Sequence, residues 1–141
     1  MNKKIKNLFL NNEIKNIAVV GFSPDSTKDS HKVGMYLFNH GFNVFAIYPK
    51  GKSIGKVPIF HTLSTLLESK QIDCVVVFRK SQYCIDIAKE ILKSKHKIRI
   101  FWMQLGIENN HAKEILESNN ILVVENKCIM IELKSLKDIE N

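Results

Sequence analysis

Five short apolar runs, at residues 17–22, 42–48, 73–78, 98–103 and 121–125, constrain the fold of this chain more than any other feature. They are continuous stretches of Val, Ile, Phe and Ala without polar alternation. Such runs suit strands covered on both faces, the situation in a parallel sheet, because a strand with one wet face alternates apolar and polar residues. Between them lie segments with helical spacing. Val33, Tyr36, Leu37 and His40 follow an N-cap at Asp29 or Ser30 and stop at Gly41; Leu63, Leu66 and Leu67 follow Thr62. Ile85, Ala88, Ile91 and Leu92 follow Ser81, and Ala112, Ile115 and Leu116 precede a stop at Asn119-Asn120. Strand and helix alternate throughout. Successive right-handed crossovers then predict an α/β fold: a Rossmann-like, doubly wound parallel sheet of about five strands with helices on both faces.

The 141 residues fit one domain. The expected division is a leading helix over 1–15, a nucleotide-binding domain over 16–133, and a charged, fraying tail over 134–141. Ile5, Leu8 and Phe9 form a short stripe on the leading helix, which favours a cap on the sheet over a membrane-surface role. No stretch approaches the ~20 apolar residues of a membrane span, and the basic N-terminus has too short an apolar run for a signal peptide. Cys74, Cys84 and Cys128 are odd in number and lack C-x-x-C spacing, so neither a disulfide framework nor a zinc site is expected. The five histidines supply no metal pair either. A reducing cytoplasm fits this pattern.

With 21 Lys+Arg against 14 Asp+Glu, the formal charge is +7, which favours anionic partners. The lysines, among them Lys3, Lys4, Lys6, Lys15, Lys28, Lys32, Lys50, Lys52 and Lys56, are scattered without interleaved aromatics. Nucleic acid is therefore not expected. A protein partner or a homo-oligomer stays open.

In an open α/β sheet the ligand sits outside the carboxyl ends of the strands, where helix N-termini expose unpaired N–H groups. The first such segment, Gly21-Phe22-Ser23-Pro24-Asp25-Ser26-Thr27-Lys28, stands where a dinucleotide fingerprint would. It departs from that fingerprint: Ser23 and Ser26 replace the second and third glycines. Ser23, Ser26, Thr27 and Ser30 can donate to a phosphate near the helix start, with Lys28 adding positive charge; turn-making and capping account equally well for Ser26 and Ser30. At the end of the second strand, an NAD site needs an acidic acceptor for a ribose diol. This chain has Tyr48, Pro49, Lys50 and Lys52 instead. Cations there favour a phosphorylated ribose, as in coenzyme A or NADP; ordinary loop lysines are the alternative.

Taken in order, Ile17-Ala18-Val19-Val20-Gly21-Phe22-Ser23, Tyr48-Pro49, Val77-Phe78-Arg79, Trp102-Met103-Gln104-Leu105-Gly106-Ile107 and Cys128-Ile129-Met130-Ile131-Glu132 resemble the small coenzyme A-binding domain family. That family is related to the nucleotide-binding part of the succinyl-CoA synthetase α subunit. The resemblance covers nearly the whole chain. It implies that the loop from Ser23 through Pro24 to Lys28 meets the nucleotide phosphates, while Tyr48, Pro49 and Lys50 flank the adenosine end; Gly21 before that loop and Ser30 after it complete the expected cofactor-binding set on the residue reading above. It also implies that Phe78 and Arg79 line the middle of a bound coenzyme A or acyl-CoA, with Gln104, Gly106, Asn126 and Cys128 towards the pantetheine arm.

The resemblance stops at binding. The phosphate-carrying histidine domain and ATP-grasp partner of the synthetases do not fit this length. Gly21-Phe22-Ser23-Pro24-Asp25 lacks the second glycine of a nucleophile elbow, so no catalytic constellation is identified. The expected function is a non-catalytic binding or regulatory module. An NADP-linked enzyme or redox sensor is the alternative, as is an interaction domain with a vestigial pocket. Cys128 is either a thiol for exchange with coenzyme A or a half-buried structural cysteine.

Overall fold

The computed structural model describes residues 1–140. The chain runs α1 (Lys3–Leu10), β1 (Asn16–Val20), α2 (Asp29–Asn39), β2 (Asn43–Ile47), β3 (Ser53–Ile54), β4 (Val57–Phe60), α3 (Leu63–Ser69), β5 (Cys74–Val77), a 3-10 turn (Ser81–Tyr83), α4 (Cys84–Leu92), β6 (Ile100–Met103), α5 (Asn110–Glu117), β7 (Leu122–Val124) and α6 (Ile129–Glu140). The strands form one seven-stranded sheet in the order β3-β4-β2-β1-β5-β6-β7. Its centre is the five apolar runs, paired in parallel throughout.

The sheet is doubly wound because the chain leaves β1 through α2 towards β2, then returns through β4 and α3 to β5 on the other side. Period-2 geometry sends alternate side chains to opposite faces. Ile17, Val19, Cys74, Val76, Ile100 and Trp102 pack against the layer of α1, α2 and α6. Ala18, Val20, Val75, Val77, Phe101 and Met103 pack against α3, α4 and α5. Each central strand is buried on both faces, which is the physical reason its sequence shows no alternation.

Two differences from the sequence reading have identifiable causes. The first is a small hairpin, β3–β4, which adds β4 parallel to β2 and β3 antiparallel to β4. Pro58 within Val57–Phe60 weakens the strand signal, and the proline is tolerated because it lies in the outermost pairing, opposite Ser53. The second is the tail. Where fraying is expected from Lys134, α6 continues, because Ile129, Leu133 and Leu136 recur at helical spacing and are buried against the core. Residue 141 lies outside the described residues.

Candidate functional site

The reversal of winding places the carboxyl ends of β2, β1 and β5 side by side, and the backbone leaving β1 must pass between its neighbours. Gly21 makes that passage. Its N–H donates to the Ile47 carbonyl at 2.9 Å, its φ is +87°, and a Cβ added there would lie 3.1 Å from the Phe78 carbonyl oxygen. A side chain at this position would meet both the left-handed penalty and backbone. The next residue, Phe22, is fully buried, with its ring against Gly34 of α2. A Cβ on Gly34 would sit 2.1 Å from Phe22 Cε2. Gly34 thus supplies the close helix approach that a third fingerprint glycine would give. It was missed from sequence; a glycine inside a helical pattern is the signal that could have revealed it.

The loop after Phe22 is held by its own polar atoms. Ser23 N–H donates to Ser30 Oγ at 3.0 Å, and the Ser23 carbonyl lies 2.9 Å from His31 Nδ1. Asp25 N–H donates to Ser23 Oγ at 3.1 Å; Asp25 Oδ1 accepts from Thr27 N–H at 2.9 Å and Thr27 Oγ1 at 2.7 Å. Those two Thr27 bonds, followed by the charges of Lys28 and His31, hold the Asp25 carboxyl below its usual range. Side-chain acceptors cap α1, α3 and α5 through Asn2, Thr62 and Asn109, whereas the Lys28 cap of α2 has none. The first-turn N–H groups of α2 therefore lack a side-chain acceptor at the end of the helix that carries positive partial charge.

Across from this loop stands the end of β2. Ser23, Pro24, Asp25, Tyr48, Lys50 and Gly51 together line an open cleft of about 410 Å³. Pro49 is exposed between two of the lining residues. The β3–β4 hairpin supports this wall: Ile59 N–H donates to the Lys52 carbonyl at 2.9 Å, and His61 Nε2 lies 2.9 Å from the Gly51 carbonyl. Larger clefts of about 580 and 510 Å³ lie elsewhere, between α3 and α4 and beside the amino ends of β6 and β7. Neither contains a residue expected from the sequence to bind ligand.

Of the three cations expected on the rim, Lys50 lines the cleft and Lys28 is exposed at the start of α2 on the same loop as Asp25. Arg79 follows β5 and is drawn over the Tyr83 ring, 4.5 Å from its centroid. Phe78 is half-buried beside Gly21. Ser30 and Gln104 are placed beneath the rim rather than on it, with exposures of 7% and 3%. Ser30 holds Ser23, and Gln104 Oε1 accepts from Ile129 N–H at 2.9 Å to cap α6.

The far end of the rim is similarly self-bonded. Gly106 N–H donates to Asn126 Oδ1 at 2.6 Å, and Trp102 Nε1 donates to the Lys127 carbonyl at 2.8 Å. Asn126 takes a left-handed φ of +55°, which Asn tolerates better than most residues. Cys128 is half-buried and free, whereas Cys74 and Cys84 are buried. Burial, followed by the charge of Asp73, pushes the Cys74 thiol well up; burial, followed by the charge of Glu125, pushes Cys84 to about 11. Both are poor nucleophiles. Among the described residues, no group of three or more His, Cys, Asp or Glu is placed to hold a metal ion. None of the described helices is long and apolar enough to cross a membrane.

Known proteins resemble this chain in sequence and in fold. A match to the family described as CoA binding domain spans residues 15–134. The Bacillus subtilis protein YneT is 30% identical over 118 residues, which cover 83% of this chain and 84% of YneT. A Thermus thermophilus structure is 28% identical with a TM-score of 0.85, covering 96% of this chain and 99% of that one. A Pyrococcus horikoshii structure, 24% identical with a TM-score of 0.85, covers 96% and 92% and shares the fold.

Proposed function

The chain belongs to the CoA binding domain family, and on that premise we propose that it binds coenzyme A or an acyl-CoA at the carboxyl ends of its parallel strands, as a non-catalytic binding or regulatory module. The observation that carries the reading is the wall of the cleft opposite Ser23. Tyr48, Pro49 and Lys50 stand where a ribose-diol site would have an acid, and Lys50 shares one cleft with Ser23 and Pro24. Asp25 also lines that cleft, but from the β1 side, with its Oδ1 engaged by Thr27.

In this reading the phosphates lie between Ser23, Lys28 and the uncapped start of α2, where hydroxyl, cation and N–H groups act on the same anion. Gly21 keeps the backbone close, and Ser30 holds the loop from below. Tyr48, Pro49 and Lys50 flank the adenosine end. Phe78 and Arg79 border the middle of the ligand, and the pantetheine arm runs over Gly106, Asn126 and Cys128, with Gln104 supporting that stretch.

Calorimetric titration with coenzyme A, dephospho-coenzyme A, NADP and NAD tests it. Tightest binding of intact coenzyme A, weakened in both Lys50→Ala and Arg79→Ala, is the expected result. Tighter binding of NADP would transfer the function to a reductase or redox sensor. Silence towards all four nucleotides would leave an interaction domain with a vestigial pocket.

A further inference from the structure

Both polar atoms of the Ser23 peptide are held by consecutive side chains of one helical turn, Ser30 on the N–H and His31 on the carbonyl. A carbonyl oxygen only accepts, so the bond from His31 requires a hydrogen on Nδ1. That fixes the neutral ring as the Nδ1–H tautomer and leaves Nε2 as the atom that takes a second proton. The Phe22 ring, edge-on at 5.7 Å between centroids, walls one side of the imidazole. Protonation at Nε2 adds a charge beside the loop without breaking the bond that shapes it.

We propose that His31 is the positioning residue of the anion loop, doing with a side chain what the absent second glycine would do with backbone freedom, and that its second proton makes the loop a stronger anion site. This rests on the reading of the cleft as a coenzyme A site. Charges of both signs stand near the ring: Asp25 interacts with His31 and Lys28, Asp29 and Lys32 flank it along the start of α2, and Lys50 lines the cleft wall opposite Asp25. A second proton on the ring adds a cation beside a ligand whose diphosphate stays anionic, so coenzyme A binding should be tighter at pH 5.5 than at pH 8.

Asparagine separates the two roles, since its amide N–H can stand in for Nδ1–H while carrying no titratable proton. His31→Ala should weaken coenzyme A binding about five- to tenfold at pH 8, the loss expected for one hydrogen bond that shapes a site. His31→Asn should recover most of it. From pH 8 to pH 5.5, wild type should gain affinity for dephospho-coenzyme A, which lacks the titrating 3′-phosphate, while His31→Asn should not. Equal weakness of the Ala and Asn variants, or parallel pH profiles of wild type and Asn, would overturn the inference.

A ligand-free measurement keeps the inference distinct from the binding proposal. In NMR at pH 8, His31 should carry its proton on Nδ1, and the Ser23 carbonyl carbon should keep its hydrogen-bonded shift in wild type and Asn but lose it in Ala. A ring protonated on Nε2 at that pH overturns the inference even if coenzyme A binds. Failure of wild type to bind coenzyme A, with the Nδ1–H tautomer present, overturns the binding reading and the role of His31 in it, while the loop geometry stands.

Discussion

The two ends of the carboxyl rim obey the same topological rule yet are built differently. At β1 and β2 the rim is open: Ser23, Pro24, Tyr48 and Lys50 line a cleft, Lys28 is exposed, and α2 lacks a side-chain cap. At β6 and β7 the polar groups bond to one another, through Gln104 to Ile129, Asn126 to Gly106 and Trp102 to Lys127. Position at a strand's carboxyl end therefore makes a residue eligible to meet ligand. Whether its donors and acceptors are free decides whether it can hydrogen-bond that ligand.

Substitution can break or sharpen this contrast. The largest effect is expected at Gly34→Leu, which drives atoms into the buried Phe22 ring and should lower stability in a urea melt by about 3 kcal/mol, the upper part of the overpacking range. Coenzyme A affinity should fall with it, because Ser23 follows Phe22; an unchanged midpoint would show that the open end is not anchored through this contact. Gln104→Leu removes the acceptor of a buried N–H and should lower stability by about 1–3 kcal/mol. Its affinity for adenosine 3′,5′-bisphosphate, the nucleotide end of coenzyme A, should stay within about twofold, since distant sites act independently. A large affinity loss would mean that the β6–β7 end contacts the nucleotide directly.

Lys50→Ala should reverse that pattern. Stability should move by less than about 0.5 kcal/mol, while affinity falls about fivefold and becomes less sensitive to salt. The smallest effect is expected at Asp25, which is fully exposed. Its folded-state carboxyl titrates below the ordinary 3.8, so its bonds to Thr27 favour the folded loop above that value and lose their contribution as pH falls through the depressed one. Acid melts of wild type and Asp25→Asn should differ slightly at pH 5 and converge as pH falls well below 3.8. A difference that grows with acid would contradict the assignment.

Much of the architecture was legible because burial on both faces is written directly into the residues: the runs containing Ile17, Val75 and Phe101 have no wet face to encode. The hairpin was not, because Pro58 obscures a short edge strand whose pairing depends on β2. The site was legible as a set of loops. Ser30 and Gln104 read as exposed candidates because a serine or glutamine after a strand looks the same in sequence whether it faces solvent or an internal N–H.

By itself, the sequence determined the alternation of strand and helix, the parallel sheet and the five carboxyl-end segments, since local patterning and right-handed crossovers leave few other solutions. Only the tertiary structure decided which of those segments are open, that Gly34 rather than a fingerprint glycine admits the helix, and that His31 reaches back to Ser23. Those outcomes depend on distances between residues far apart in the pattern, and hydrogen-bond and contact energies vanish within an ångström or two of misplacement.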